Sequence, residues 1–202
     1  MKVALIGATG NAGSRILAEL THRSHAVTAI VRNPERQPPQ TGVTVQKGDV
    51  DDPQSLAAVL KGHDAVVSAV RFTDSDPGKL IEAVRASGVK RYLVVGGAGS
   101  LEVAPGVKVI DTPNFPPAYK PEAAAGGAFL DRLRDERELE WTFLSPSAVF
   151  APGERTGKFR LGKDQLLTNE EGSRISFEDY AIALVNELEK PAHVRQRFTV
   201  GY

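Results

Sequence analysis

The chain has 202 residues, 41% hydrophobic and 25% charged, which are ordinary values for a globular protein. This length suits a single α/β domain, and we expect residues 1–202 to form one. The formal net charge is zero, so the composition does not indicate binding to nucleic acid or to an anionic membrane. The chain has no cysteine, which excludes disulfides, thiolate metal sites and a cysteine nucleophile.

The hydropathy of the chain favours a protein of the cytoplasm. No apolar run approaches membrane-spanning length, and the sequence opens on a core strand, which leaves no room for a cleaved signal peptide. His22 and His25 lie three residues apart, but no third ligand is nearby, so we expect no metal site. We expect a small-molecule substrate and a monomeric or homodimeric protein.

The first turn of the chain contains its strongest local signal. Val3 to Ile6 predict a buried strand, and a helical pattern begins after three glycines spaced three apart. At such a junction, free backbone amides and the positive end of the helix dipole favour a pyrophosphate. We expect Gly7 to turn the chain, Gly10 to let the backbone approach phosphate, and Gly13 to let helix and strand pack closely. A purely structural turn is the alternative, but the context favours a dinucleotide site. Its predicted residues are Gly7, Ala8, Thr9, Gly10, Asn11, Ala12 and Gly13.

Ala26 to Val31 predict the second strand, and a basic residue follows it directly. In this type of fold the end of the second strand faces the adenosine ribose, where an acidic residue binds the ribose hydroxyls and a basic one suits a 2′-phosphate. Arg32 occupies this position, with Arg36 shortly after it, and a guanidinium can hold a phosphate through two hydrogen bonds. We therefore expect NADPH to be preferred over NADH. A solvated arginine at a strand end is the alternative, and the nearby Glu35 argues for it.

A third strand is predicted beyond a loop over Pro38–Gly42. It is short, Val43–Gln46, and Asp49 and Val50 follow near the expected adenine. The Asp49 carboxylate would either accept from the adenine amino group or begin the turn into the next helix. That helix starts at Asp52-Pro53, since proline suits a first helical turn.

The fourth predicted strand, Asp64–Val70, is apolar on both faces, as a central parallel strand should be. Ligands in open parallel sheets lie outside the carboxyl ends of the strands. The exit of this strand, Ser68 to Arg71, should therefore border the coenzyme, with Ala69 and Val70 as the predicted contacts.

Helix and strand signals continue to alternate along the chain. Pro77–Ser87 predicts a helix and Arg91–Val95 a fifth strand. Gly96 and Gly97 at the exit of that strand would let a ligand lie against bare backbone. The alternation predicts an α/β fold with a doubly wound parallel sheet.

Five segments carry a resemblance to a known family: Gly7–Gly13, Val31–Asn33, Gly48-Asp49, Val94–Ala98 and Leu144–Phe150. In these segments the chain resembles the atypical short-chain dehydrogenase/reductases with an NAD(P)H-binding domain. It is most similar to small bacterial proteins provisionally named NADH-flavin reductases or NAD-dependent epimerases, and more distantly to NmrA-like regulators. The resemblance spans essentially the whole chain and implies a Rossmann-type fold and a nicotinamide coenzyme.

Residues 101–120 contain four prolines and are predicted to form an irregular loop on the substrate side. Phe115 and Tyr119 within it either pack against a flat ring of the substrate or anchor the loop to the core. A helix over residues 121–140 and a sixth strand over residues 141–144 are predicted next.

The segment after the sixth strand is expected to meet the nicotinamide. The resemblance implies that the ring is oriented by the backbone of Pro146, Ser147 and Ala148, with a structural turn as the alternative. Residues 151–176 are predicted to form a small C-terminal cap that is irregular or built from short strands, before a last helix and a last strand over Arg197–Val200. The basic residues that could contact an anionic substrate are Arg155, Lys158, Lys163 and, earlier, Lys120.

The chain lacks a residue pair that activates ketone reduction. Ketone-reducing short-chain dehydrogenases resemble one another in a Tyr-x-x-x-Lys pair, in which the lysine lowers the tyrosine pKa. Here the residues that stand four positions after tyrosines 92, 119 and 180 are Gly96, Ala123 and Leu184. The usual alcohol oxidoreduction and epimerisation are therefore disfavoured.

Hydride transfer to a flavin does not need such a pair, because flavin N5 accepts hydride directly and the protein only orients the reactants and excludes water. We therefore expect an NADPH-dependent reductase whose substrate is free flavin or a similar planar acceptor. Ser100 and Tyr119 are candidate proton donors. A non-catalytic sensor of the NADPH/NADP redox state is the alternative, and an epimerase or dehydratase is a weaker one.

Overall fold

The computed structural model describes residues 1–36 and 40–202, without the side chain of Arg36. Residues 37–39, and with them the first part of the predicted loop at 38–42, lie outside the described residues. The described α-helices are α1 (Asn11–His22), α2 (Pro53–Leu60), α3 (Pro77–Ser87), α4 (Lys120–Asp135) and α5 (Phe177–Glu189). The described strands are β1 (Lys2–Ile6), β2 (Ala26–Val31), β3 (Val43–Lys47), β4 (Ala65–Ser68), β5 (Arg91–Val95), β6 (Glu102–Ala104), β7 (Val107–Lys108), β8 (Glu140–Ser145), β9 (Val149–Ala151), β10 (Arg160–Gly162), β11 (Arg174–Ser176) and β12 (Gln196–Gly201).

Eight strands form the central sheet in the order β10-β12-β8-β5-β4-β1-β2-β3. Neighbouring strands pair in parallel except β10, which runs antiparallel to β12. From β1 the chain winds outward through β2 and β3 on one side and through β4 and β5 on the other. This is the predicted doubly wound α/β sheet of the Rossmann type, and the prediction is confirmed. The strand order reverses between β1 and β4, where such sheets bind their ligands.

The sheet is buried on both faces between two layers of helices. In β1, Val3 and Leu5 point into the core shared with α1 and α5, whereas Ala4 and Ile6 point into the core shared with α2, α3 and α4. This alternation follows from the two-residue period of a strand. Each buried leucine, isoleucine or phenylalanine side chain contributes about 1.5–3 kcal/mol through apolar burial. Within the described ranges, no helix combines the length and apolar character needed to cross a bilayer.

Three of the helices begin with a side-chain cap. The carboxylate of Asp52 accepts from the N–H of Ser55 at 3.1 Å, as expected from the Asp-Pro pair at the start of α2. Asp76 caps α3 in the same way. The Ser176 hydroxyl accepts from the N–H of Asp179 at 2.9 Å and starts α5. Such caps satisfy backbone donors that the first helical turn leaves free.

Residues 101–120, the segment predicted to form an irregular loop on the substrate side, are more regular than expected. Within residues 101–120, β6 and β7 form a hairpin that turns at Gly106, which has a φ of +75°. The hairpin is also tied to a later segment, because the N–H of Glu102 donates to the carbonyl oxygen of Asp164 at 2.8 Å.

The helix predicted over residues 121–140 is shorter than expected. It ends at Asp135 because the Glu136 backbone becomes extended. The Glu136 carboxylate then accepts from the N–H of Leu139 at 3.2 Å, which stabilises the turn into β8.

Candidate functional site

Two glycines at the junction of β1 and α1 are required by the packing of the protein itself. Gly7 has a φ of +82°, a left-handed conformation that favours glycine, and a Cβ there would lie 2.6 Å from the carbonyl oxygen of Ala69. A Cβ at Gly13 would lie 2.1 Å from the carbonyl oxygen of Gly7. The turn predicted at Gly7 and the close packing predicted at Gly13 are both confirmed.

Gly10 lies in a different environment. A Cβ at this position would have its nearest neighbours at 3.5 Å and 3.7 Å, which are the carbonyl oxygens of Gly7 and Ala69. These are ordinary contact distances, so the described residues leave room for a side chain. Internal packing therefore does not require glycine at this position, and close approach of a phosphate to Gly10 stays a prediction.

The first turn of α1 leaves backbone donors free. Gly10 is the N-cap of the helix and supplies no side-chain cap. In the described part of the chain, no acceptor bonds the N–H groups of Asn11, Ala12 and Gly13. Together with the positive end of the helix dipole, these donors suit an anion such as a diphosphate.

A groove runs from this turn along the carboxyl ends of β1, β2, β3 and β4. The predicted residues that line it are Gly7, Thr9, Gly10, Arg32, Asp49, Val50, Ala69 and Val70. Two other predicted residues do not line the groove. Ala8 is buried in the core, and Asn11 is exposed at the start of α1. Arg71, the last residue of the predicted strand exit, also lines the groove. The other lining residues were not predicted to contact the coenzyme: Ile6, Ile30, Val31, Gly48, Asp51 and Asp74.

The groove carries both positive and negative side chains. Arg32 and Arg71 are both exposed. The Asp49 carboxylate accepts from the N–H of Asp51 at 2.9 Å, so it does begin the turn into α2. Asp51 in turn pairs with Lys79 at 3.2 Å. Contact of Asp49 with an adenine stays a prediction.

The two glycines predicted at the exit of β5, Gly96 and Gly97, differ in what surrounds them. A Cβ at Gly96 would lie 2.4 Å from the Phe143 ring and 2.6 Å from the Leu144 carbonyl oxygen. Gly96 is therefore needed for packing against β8, and contact of its backbone with a ligand stays a prediction. Gly97 is half-buried, and the nearest neighbour of a Cβ there would be the Phe72 ring at 3.6 Å. Packing within the described residues therefore leaves more space at Gly97 than at Gly96.

The segment after β8 is largely built into the fold. Pro146 and Ser147 are buried, and the Ser147 hydroxyl donates to the carbonyl oxygen of Val200 at 3.0 Å. The N–H of Ala148 donates to the Ser173 hydroxyl at 3.1 Å. The role of Pro146, Ser147 and Ala148 in orienting a nicotinamide stays a prediction.

The two candidate proton donors lie in contrasting environments. Ser100 is half-buried, and its hydroxyl oxygen accepts from Nη1 of Arg197 at 3.3 Å. Tyr119 stands immediately before α4 and is 66% exposed. A Cβ at Gly99 would lie 2.7 Å from the Cβ of Ala123. Ala123 is the residue four positions after Tyr119, where a Tyr-x-x-x-Lys pair would have its lysine. Its methyl group packs against Gly99, just after β5.

Two other tyrosines are buried and serve structural roles. Burial raises the pKa of Tyr92, whose hydroxyl bonds the Ser68 hydroxyl at 2.9 Å. Burial likewise raises the pKa of Tyr180, whose hydroxyl donates to the carbonyl oxygen of Leu144 at 2.7 Å. A tyrosine that acts as a catalytic acid near neutral pH needs a lowered pKa. These two side chains instead fix the ends of β4 and β8.

The basic residues predicted to contact an anionic substrate are not equivalent. Arg155 donates from Nε and Nη2 to the buried carboxylate of Glu19, at 2.9 Å and 3.0 Å. The guanidinium of Arg155, which was predicted to contact an anionic substrate, is thus already paired with Glu19. Lys120, Lys158 and Lys163 are exposed.

Comparison with known proteins agrees with this geometry. A family model described as NAD(P)H-binding matches residues 7–191. Each of three solved structures described below covers 100% of this chain. A Burkholderia pseudomallei protein, provisionally described as exported, is 47% identical over 100% of its own chain, with a TM-score of 0.90. A Bacteroides thetaiotaomicron protein, provisionally named an epimerase, is 44% identical over 96% of its chain, with a TM-score of 0.94. A Streptococcus pneumoniae protein, provisionally named an NADH-flavin reductase, is 39% identical over 99% of its chain, with a TM-score of 0.87.

Proposed function

The chain belongs to the NAD(P)H-binding family, and from this premise we propose that it is an NADPH-dependent reductase of free flavin or of a similar planar acceptor. The observation that carries the proposal is the groove at the reversal of strand order. It offers free N–H groups of α1 at one end and the exposed Arg32 at the other. A dinucleotide needs donors for its diphosphate and, if it carries a 2′-phosphate, a cation near the ribose.

The described residues fit such a coenzyme. The N–H groups of Asn11, Ala12 and Gly13 would hold the diphosphate, and Gly10 would allow its close approach. Arg32 would pair with the 2′-phosphate, which favours NADPH over NADH. When bound, the coenzyme supplies a hydride from its nicotinamide, and the protein orients it and keeps water away.

The acceptor is inferred from the available acid–base chemistry. Tyr119 has no lysine at the required spacing, because Ala123 occupies that position. A flavin can be reduced without such a pair, whereas a ketone or a sugar carbon needs one. The provisional name of the Streptococcus pneumoniae neighbour agrees with this choice.

The test is turnover by the purified protein. NADPH is mixed with an excess of FMN, FAD or riboflavin, and its absorbance is followed beside a control without protein and a parallel series with NADH. We expect sustained oxidation far above the control, faster with NADPH. Tight coenzyme binding without turnover would contradict the reductase and support a non-catalytic redox sensor, which the same lack of an acid–base pair also suits.

An epimerase is the weaker candidate, and the provisional name of the Bacteroides thetaiotaomicron neighbour is what favours it. Incubation with nucleotide sugars and catalytic NAD would reveal epimerase activity as a changed sugar configuration.

We further propose that the reductase acts in the cytoplasm as a monomer or homodimer. Cell fractionation decides between the cytoplasm and the export that the Burkholderia pseudomallei neighbour's description raises.

A further inference from the structure

A buried arginine lies beneath the exits of β5 and β8. The Arg197 side chain is 4% exposed, and its Nε and Nη2 donate to one carboxylate oxygen of Asp164 at 2.8 Å and 2.6 Å. Its Nη1 reaches the hydroxyl oxygens of Ser100 at 3.3 Å and Ser145 at 3.5 Å. A buried charge is costly unless it is paired and hydrogen-bonded, so this arrangement fixes both the guanidinium and the serines around it.

The Ser100 hydroxyl is held as an acceptor by this arginine. Nη1 of Arg197 donates to Oγ, and the carbonyl oxygen of Ser100 accepts from Nη2 at 3.4 Å. Over residues 1–36 and 40–202, no acceptor bonds the hydrogen of the Ser100 hydroxyl. That hydrogen can therefore be donated to a ligand. A hydroxyl whose oxygen already accepts from a cation is polarised and becomes a stronger donor.

The same arginine joins two walls of the expected substrate side. Asp164 is 49% exposed, and its carbonyl oxygen accepts from the N–H of Glu102 at 2.8 Å. The N–H of Leu166 donates back to the carbonyl oxygen of Glu102 at 2.8 Å. The segment after β5 and the segment after β10 are thus held together, with Arg197 at their junction.

We propose that Arg197 is a positioning residue of the acceptor site, which holds Ser100 so that its hydroxyl donates to the acceptor oxygen on which negative charge develops. This inference rests on the proposed reductase function. The buried guanidinium takes the place that lysine has in a Tyr-x-x-x-Lys pair, as a fixed cation behind a hydroxyl donor. Asp164 holds that cation in place from the solvent side.

The electron balance of the step needs no further reactant. In the proposed reaction the coenzyme would supply a hydride and become NADP⁺, and the flavin would be reduced by two electrons at N5. The hydrogen bond from Ser100 would stabilise the negative charge that develops at N1 and the neighbouring carbonyl oxygen. Ser100 keeps its proton, and water supplies a proton to the reduced flavin when one is taken up. Preorganised donors at such a position favour the transition state over the ground state.

The test is a double-mutant cycle with Ser100→Ala, Arg197→Lys and the double variant, and with Arg134→Lys as a control. Arg134 forms an exposed ion pair with Asp131 on α4. We expect Ser100→Ala to lower kcat by about tenfold or more and Arg197→Lys to lower it by about threefold or more. If Arg197 acts through Ser100, the double variant falls within about twofold of Ser100→Ala alone. The Arg134→Lys control keeps wild-type kcat.

A second readout needs no turnover. Flavin affinity is measured by fluorescence quenching in the presence of NADP⁺, and we expect it to change by less than about threefold in each variant, because the hydrogen bond strengthens only as charge develops. If Arg197→Lys does not fold, Asp164→Asn takes its place in the cycle, since Asp164 is half-exposed. Losses of kcat that multiply in the double variant would overturn the inference. Wild-type protein that oxidises no NADPH with any flavin would instead reject the proposed function, and this inference with it.

Discussion

Gly10 and Gly13 lie on the same turn but differ in what surrounds the missing side chain. We expect Gly10→Val to abolish coenzyme binding while leaving the thermal midpoint near that of the wild type, because the nearest atoms to a Cβ lie at 3.5 Å. Gly13→Ala is the matched control. It should lower the midpoint, because its Cβ would lie 2.1 Å from the carbonyl oxygen of Gly7. Calorimetry with NADPH and thermal denaturation measure both effects. Unchanged affinity in folded Gly10→Val would contradict a role at the phosphates.

Arg32 is the residue on which the choice of coenzyme depends. Arg32→Ala should weaken NADPH binding by about 1–3 kcal/mol, since charge-assisted hydrogen bonds to the 2′-phosphate are lost. NADH, which lacks that phosphate, should be bound almost as before. Arg71→Ala, at the second exposed arginine of the groove, shows whether one cation or two are used. Calorimetric titration with both coenzymes is the measurement, and equal losses for both would remove the preference for NADPH.

The site could be predicted where its determinants are close together in sequence. Gly7 and Gly13 belong to one turn, so their spacing alone predicted the turn and the close packing that the structure shows. The packing role of Gly96 was not predicted, because the groups that require a glycine there, Phe143 and Leu144, belong to a strand far along the chain. Such a distant partner leaves no signal next to the glycine itself.

The loop after β9 is fastened to α1 and α5 by carboxylates. Asp179 is fully buried and accepts from the N–H groups of Thr156 and Gly157, each at 2.8 Å. Arg155 pairs with Glu19 on α1. Burial opposes ionisation of Glu19, but the hydrogen bonds and charges of Arg155 and Arg23 outweigh it and hold its pKa below the usual value of 4.5. These contacts hold residues 155–157 in a fixed position against α1 and α5.

This lowered pKa makes part of the stability dependent on acid. The stabilisation from ionised Glu19 is complete above pH 4.5 and is lost as the pH falls through the lower pKa of the folded state. Arg155→Met should lower the free energy of unfolding near neutral pH by about 1–2 kcal/mol and flatten its decline in acid.

Urea denaturation at neutral pH and at several values below pH 4.5 measures both changes. Arg174→Met, which removes an exposed ion pair with Glu171, is the control and should change little. An unaltered acid profile in Arg155→Met would show that this ion pair does not set the pKa of Glu19.

Secondary structure was predictable where one element carries a long regular pattern. The parallel strands and the helices have that pattern, and Asp52 and Ser176 mark helix starts by their capping chemistry. Short strands were one alternative for residues 151–176, but the bounds of β10 and its place in the central sheet were not predicted, because it is three residues long and its Leu161 faces solvent. Its antiparallel pairing with β12 depends on contacts between two segments that are distant in sequence, and the sequence of neither strand alone indicates this pairing.

At the scale of the molecule, coenzyme binding and folding are linked. The groove is assembled from the ends of four strands, so it exists only in the folded chain. A ligand at one hundred times its Kd stabilises such a protein by about 2.7 kcal/mol, which should raise the thermal midpoint by about 5–10 °C. Thermal denaturation with NADPH, with NADH and with riboflavin alone measures this shift. Gly10→Val should show none, and an unshifted wild type would contradict the site.

The contact between Ala123 and Gly99 has a consequence for how this scaffold can change. A Cβ at Gly99 would lie 2.7 Å from the Cβ of Ala123, so α4 can approach the exit of β5 this closely only while position 99 has no side chain. Any redesign of this scaffold that adds a side chain at position 99 must therefore also move the start of α4 away from the sheet.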